Sequence, residues 1–327
     1  MHIKNWSSDD KVLIIAEIGN NHEGDFDVAV DMIQVAAKTG VDAVKFQTFK
    51  TDHYVHNSQI ERVKRLKSFE LAYCEFAKLS EIAHELGLLF ISTPFDLESA
   101  KFLGTICDAI KISSSDNVFY PLLKNVHATG KPVFASTGLA TFEELQKLTT
   151  YFDLENIALL HCVTSYPVPD GQVNVSYIRK IAEKLKCTAG YSDHSLGIDA
   201  AALAVASGAR IIEKHFTLDN NYSKFMDHKI SSDPSEMNQL VKRIREVETK
   251  LGSANDIQPV EEDILQSARR SIVAAKPLRI GHILSEKDIT WVRPGGGIPP
   301  GEEYRILGKT LKQDLEIHTT LSADHVE

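Results

Sequence analysis

The 327-residue sequence has little that would tie it to a membrane, a polyanion or an oxidising compartment. No uninterrupted apolar run approaches the ~18 residues of a membrane-spanning helix, and the opening MHIKNWSSDDKVLIIAEIG lacks a basic leader, so a cytoplasmic location is expected. Positive charge is in deficit: the formal net charge is -9, which argues against nucleic acid or an anionic membrane surface as the main partner. Cysteine is sparse, and Cys74, Cys107, Cys162 and Cys187 show no CxxC spacing. That excludes a zinc-finger or disulfide framework and leaves buried free thiols as the expectation. No GxGxxG fingerprint is present, which removes the main sequence support for an open dinucleotide-binding sheet.

What is present is a strict alternation. Eight short runs rich in Val, Ile, Leu and Phe recur from Val12 to Phe216: VLIIAEIG, AVKFQTF, LLFISTPF, AIKISSS, PVFAST, IALLHCV, TAGYSD and RIIEKHF. Amphipathic segments separate them, such as DFDVAVDMIQVAAKTG, whose apolar residues recur every three or four positions and which stops at Gly40. Near-continuous apolar strands alternating with such helices predict a parallel sheet covered by helices, and eight units predict a closed (β/α)8 barrel over residues 1–252. A polar, acidic stretch at 253–267 reads as a linker. Residues 268–327 carry short strand-like pieces broken by Gly and Pro, predicting a small β-rich module near the lower size limit for independent folding. Within it PGGGIPPG, at 294–301, reads as a tight loop.

In a barrel of this class the reactive groups gather where the strands end. The polar residues of this chain do so: Glu17, Lys45 with Gln47, Thr93, Lys111 with Ser114, Ser136, Tyr166, Ser192 with His194, and Glu213 with His215. Alternate strand residues share a face and adjacent strands lie about 4.8 Å apart, so His194 and His215 can reach one ion. Two imidazoles suit a divalent transition metal with coordination positions to spare, and each histidine has an acidic neighbour that could orient it. His161 lacks such a companion and reads as structural. Lys45 and Lys111 sit in apolar strands, where an ammonium is costly without a negative partner. Together with the serine hydroxyls they form a plausible cradle for phosphate and carboxylate, although pairing with Glu17 or Glu213 would also satisfy them. Glu17 could serve as a general acid or base, or simply pair with a lysine.

Taken in order, AEIGNNHEG, KFQT, ISTPFD, KISSSD, STG, LLHCVTSYP, GYSDHSLG, IEKHF and DHKISSDP resemble the sialic acid synthase family, which condenses phosphoenolpyruvate with an N-acylated sugar to give nine-carbon nonulosonic acids. The resemblance extends to a C-terminal module similar to type III antifreeze proteins. It implies that His194 and His215 hold a divalent cation, usually Mn²⁺, with Mg²⁺ or Co²⁺ as substitutes. It puts Lys45, Gln47, Thr93, Lys111, Ser114, Ser136 and Ser192 around phosphoenolpyruvate and Glu17 beside the reacting centre. Glu213 and Asp227 would lie beside the sugar or metal water, and Tyr166 against the sugar. It further implies a domain-swapped homodimer in which Arg293, from VRPGGG, reaches the N-acyl group in the other subunit's site. Two departures fall near the expected sugar site: Thr164 replaces a common Asn, and KFM before Asp227 lacks the usual Gly-Pro. These bear on whether the acceptor is N-acetylmannosamine or a 2,4-diacetamido sugar leading to legionaminic or pseudaminic acid. A Schiff-base pyruvate aldolase using Lys111 or Lys45 is the competing enzyme class.

Overall fold

A computed structural model describes residues 1–252 and 257–327 and divides into two units, Met1–Gly252 and Ser253–Glu327. In the first, a small hairpin, β1 (His2–Ile3) and β2 (Trp6–Ser7), precedes the eight strands that the apolar runs form. These are β3 (Leu13–Gly19), β4 (Ala43–Thr48), β5 (Leu89–Pro94), β6 (Ala109–Ile112), β7 (Val133–Ser136), β8 (Ile157–His161), β9 (Thr188–Asp193) and β10 (Ile211–His215). They pair in parallel and in chain order, and β10 closes on β3. The predicted (β/α)8 barrel is therefore the observed architecture.

Eleven helices accompany the barrel: α1 (Phe26–Thr39), α2 (Thr51–Tyr54), α3 (Ile60–Phe69), α4 (Tyr73–Glu85), α5 (Leu97–Ile106), α6 (Tyr120–His127), α7 (Phe142–Thr149), α8 (Tyr177–Leu185), α9 (Asp199–Ala206), α10 (Asp227–Ile230) and α11 (Pro234–Leu251). Helix α1 illustrates how sequence sets their limits. The Asp25 carboxylate accepts from the amides of Asp27 and Val28, and Gly40, at φ 87°, takes the left-handed turn that ends the helix. Its buried stripe, Ala29, Met32, Ile33 and Ala36, faces the barrel wall.

Strand alternation sorts each side chain into one of two cores. Ile14, Ala16, Val44, Phe46, Phe90 and Ile110 point outward and join the helices in one large cluster. Leu13, Ile15, Ala43, Ile91, Phe134 and Ile211 point inward and meet Ile3 and Trp6 from the hairpin, which forms the barrel floor. Gly190 occupies an inward position with no room for a side chain: a Cβ there would stand 2.4 Å from Leu160 Cδ2 and 2.6 Å from the Ile211 carbonyl.

The second unit begins with α12 (Pro259–Ala268), followed by β11 (Ser271–Ala274) paired antiparallel with β12 (Ile289–Val292). Ile272, Leu278, Leu284, Ile306, Leu311 and Leu321 fill its own core. The stretch read as a linker is thus helical over Pro259–Ala268, with proline at the first turn, where its missing N–H is tolerated. Residues 253–256 of that expectation lie outside those described. Among the cysteines, all free, Cys107, Cys162 and Cys187 are buried, whereas Cys74 is exposed on α4 because it lies on the helix face turned from the core. No helix among the described residues is long and apolar enough to cross a membrane.

Candidate active site

One residue-pair above the apolar floor, the inward positions turn polar. Glu17 of β3, Lys45 of β4, Lys111 of β6 and Glu213 of β10 are 1%, 4%, 3% and 4% exposed, so these four charges must satisfy one another or a ligand. They do so as a network. Lys45 Nζ lies 3.0 Å from Glu17 and 3.6 Å from Glu213, and Lys111 Nζ lies 3.4 Å from Glu213. Lys45 also donates to Thr93 Oγ1 at 3.1 Å, Lys111 to Ser136 Oγ at 2.7 Å, and Ser192 Oγ to Glu213 at 2.8 Å. Gln47 donates to Glu17 at 3.2 Å and accepts from Asn20 at 2.8 Å.

The environments of the two carboxyls drive them apart. Burial lifts Glu17 to about 7; Lys45 opposes the rise and the Glu213 charge adds to it. Burial would lift Glu213 as well, but the Lys111 and Lys45 ammonium groups outweigh it and hold that carboxyl at about 2. One carboxylate is thereby fixed as the counter-ion while the other can carry a proton near neutral pH. The lysines also separate. Burial depresses Lys45, yet Glu17 and Glu213 reverse the effect and raise it, whereas Lys111 stays below the ordinary ammonium range because burial outweighs its Glu213 partner.

At the rim stand two imidazoles. The rings of His194 and His215 have centroids 5.7 Å apart at 55°, and Tyr166 packs 4.2 Å from His194 and 6.2 Å from His215. Burial lowers both histidines, His215 strongly with His194 and Lys45 adding to the shift, so both rings are neutral and keep ligating lone pairs. His194 Nδ1 donates to the Val163 carbonyl at 2.9 Å, leaving Nε2 as the acceptor nitrogen, and His215 Nδ1 is buried without a protein partner. These donor atoms fit a divalent cation of the nitrogen-accepting kind. Among the described residues no set of three His, Cys, Asp or Glu groups is placed to hold a metal, so the protein would supply two ligands.

The acidic neighbours do not orient these rings. Asp193, one residue before His194, points to the opposite face, where it pairs with Lys214 at 2.9 Å and accepts from Ser195 N at 2.8 Å. Glu213 is taken up by the lysines and Ser192. His161 bonds the Val173 carbonyl at 2.9 Å and packs with tilted rings against Tyr177 and Tyr191, as a structural histidine would.

The barrel residues assigned above to substrate, catalysis or metal line one cavity of about 380 Å³. Ser114, whose hydroxyl lies 2.9 Å from Cys162 Sγ, and Thr164 complete one wall. Asp227 opens α10 and is raised to about 6 by burial, with Arg65 opposing. Arg293 belongs to the second unit, directly after β12. Phe225 of the KFM segment lines the cavity as well, and sequence reasoning missed Arg62 and Arg65, which do so too. The two arginines sit on α3, inside an excursion from Thr48 to Tyr73 that is far longer than the usual two to six residues of a strand-to-helix loop. Its length at the reactive end of the barrel was the signal.

A model of the NeuB family matches residues 32–256 and one of the SAF domain matches 269–327. An uncharacterised protein of Methanocaldococcus jannaschii is 42% identical over 93% of this chain and 91% of its own. The N,N'-diacetyllegionaminic acid synthase of Legionella pneumophila is 37% identical over 99% of this chain and 97% of its own. The crystal structure of an N-acetylneuraminic acid synthetase from Leptospira borgpetersenii, in complex with citrate, superposes with a TM-score of 0.77 and 35% identity, covering 80% of this chain and 94% of that one. The chain is an enzyme of the NeuB family, with a C-terminal SAF domain.

Proposed function

We propose that this enzyme condenses phosphoenolpyruvate with the open-chain aldehyde of an N-acylated hexose to form a nonulosonic acid and inorganic phosphate. The observation that carries the reading is the meeting of two buried lysines and two neutral imidazoles on one cavity. The lysines, Thr93 and Ser136 suit a phosphorylated carboxylic acid, and the imidazoles suit a cation. A divalent metal such as Mn²⁺, held by His194 and His215, would act there as a Lewis acid toward the aldehyde oxygen.

The bonds then change in a definite order. The C2–C3 π pair of phosphoenolpyruvate forms the new bond to the aldehyde carbon, whose oxygen takes up a proton, and C2 becomes an oxocarbenium centre. Glu213, held ionised, faces that positive charge. Water adds to C2 and loses a proton. Glu17, with a carboxyl near 7, is the group suited to move protons at this step. The tetrahedral intermediate collapses with C–O cleavage, and phosphate leaves between Lys45, Lys111 and Ser136. Tyr166 packs against the sugar, with Ser114, Gln47 and Ser192 fixing phosphoenolpyruvate and Asp227 the sugar. The chain would work as a cytoplasmic homodimer in which the partner subunit's Arg293 binds the 2-N-acyl group.

Mass spectrometry of the product formed from phosphoenolpyruvate, Mn²⁺ and a panel of N-acylated hexoses tests this reading. A new acid equal to acceptor plus pyruvate, with one phosphate released per molecule, is the expected result. The depressed ammonium of Lys111 favours one rival, a Schiff-base pyruvate aldolase. Borohydride trapping of pyruvate on the protein would select that rival instead.

A further inference from the structure

The AEIGNNHEG run contains a second carboxylate, Glu23, that the reaction does not use. Its backbone has φ 49°, in the left-handed region that glycine or asparagine enters more readily. The turn has no room to relax, because Gly24 lies against the end of α3: a Cβ there would stand 2.0 Å from the Ser68 carbonyl oxygen and 3.2 Å from Phe69 Cα. The Glu23 side chain meets the connection from β10 to α11. A single oxygen, Oε1, accepts from the Ser223 hydroxyl and from His228 Nε2, the latter at 3.2 Å. A carboxylate only accepts, so the imidazole proton lies on Nε2, and Thr217 Oγ1 stands 2.7 Å from Nδ1 on the other side of the ring.

What this clasp holds has little else to hold it. Leu218–Met226 forms no helix or strand, and no residue from Leu218 to Asp227 is buried. A stretch with so few apolar contacts opens more easily than the core around it. Its ends are tied by amides: Asn21 Nδ2 donates to the Phe216 carbonyl at 2.8 Å, and Asn220 Nδ2 to the carbonyls of His228 and Ser231 at 2.9 and 2.6 Å. Glu23 grips the middle, on both sides of the two residues that line the reaction cavity, Phe225 and Asp227. Ser223 precedes them and its Oγ accepts from the Phe225 amide at 2.9 Å; His228 follows them and its ring meets Phe225 edge to face at 6.0 Å.

Resting on the function proposed above, we infer that Glu23 is a positioning residue for the acceptor sugar: by gripping Ser223 and His228 it sets Phe225 and Asp227 at the cavity wall. The residues suited to phosphoenolpyruvate, Lys45, Thr93, Lys111 and Ser136, stand on barrel strands that the clasp does not touch. Loosening it therefore separates the two substrates, weakening the sugar and sparing phosphoenolpyruvate.

The test uses the full-length protein and reads hydrogen exchange together with both KM values, the sugar being whichever of N-acetylmannosamine and a 2,4-diacetamido-2,4,6-trideoxyhexose the wild type turns over. In Glu23→Ala, peptides covering 217–231 should exchange about tenfold faster, with β3 and α1 unchanged, and KM for the sugar should rise about tenfold, the worth of one charge-assisted hydrogen bond. KM for phosphoenolpyruvate should stay within about twofold of the wild type, since a tenfold change is what one such bond is worth. Glu23→Gln keeps an accepting oxygen and should restore most of both effects. The Glu23 side chain is 27% exposed, so neither variant threatens the barrel core. Adding His228→Leu to Glu23→Ala should cost little more than the worse of the two alone, as expected when residues act through one contact. Unchanged exchange at 217–231, a parallel rise in both KM values, or losses that multiply in the double variant would overturn the inference. Absence of phosphate release by the wild type with both sugars would instead count against the synthase reading, and hydrogen exchange, which needs no sugar, would still decide whether Glu23 holds the segment.

Discussion

The His194 ring is held by the Val163 carbonyl, 2.9 Å from Nδ1, and not by a carboxylate. Backbone from the neighbouring strand end thus fixes the tautomer and leaves Nε2 to accept. His194→Ala and His215→Ala should each abolish tight Mn²⁺ binding, seen as full recovery of the free-ion signal in electron paramagnetic resonance. Asp193→Asn should retain it. Loss of binding in Asp193→Asn equal to that in His194→Ala would show that the carboxylate orients the ring after all.

Glu17→Gln removes the carboxyl that burial holds near 7 and preserves its shape. Turnover should fall by about 10²–10⁴, the usual worth of a positioned acid or base, with a smaller change in KM for phosphoenolpyruvate. The limb of the kcat–pH profile near neutrality should vanish. A profile unchanged in shape would remove Glu17 from proton transfer.

Gly190 tests the register of β9. Adding a Cβ drives it into Leu160 and the Ile211 carbonyl, so Gly190→Ala should cost about 1–3 kcal/mol of stability as overpacking. Urea unfolding measures it, and a neutral substitution would mean that the inward position is wrongly assigned.

Asp288 in the second unit carries a pH dependence with a definite sign. Burial opposes its ionisation, but hydrogen bonds from Ser285, Lys276 and His282 win and hold the carboxyl well below the usual range. The folded state therefore releases the proton more readily than the unfolded chain. The stabilisation is complete above the unfolded value near 4 and is lost as pH falls below it. Asp288→Asn should lower stability by about 2 kcal/mol at pH 7. The gap between variant and wild type in thermal melts should narrow steadily below pH 4. A constant gap across that range would contradict the charge-based account.

The barrel was legible because its strands are apolar on both faces, so that each polar intruder, Lys45, Lys111, His194 or His215, stood out against its strand. The same contrast failed on α3. In IERVKRLKSF the arginines that reach the cavity are surrounded by other charges, and only the length of the excursion marks them. Asp193 misled for a geometric reason: adjacent residues of a strand point to opposite faces, so proximity in sequence to His194 places it away from the ring. Helix α12 was hidden by polar composition, although Pro259 in its first turn and the helix formers of VEEDILQSA are compatible with the observed helix.

The central claim is that phosphate leaves phosphoenolpyruvate by C–O cleavage after water adds at C2. Turnover in H₂¹⁸O tests it most directly. The account predicts inorganic phosphate free of label, with ¹⁸O entering the nonulosonic acid at C2; label in the phosphate would mean attack at phosphorus and would contradict it.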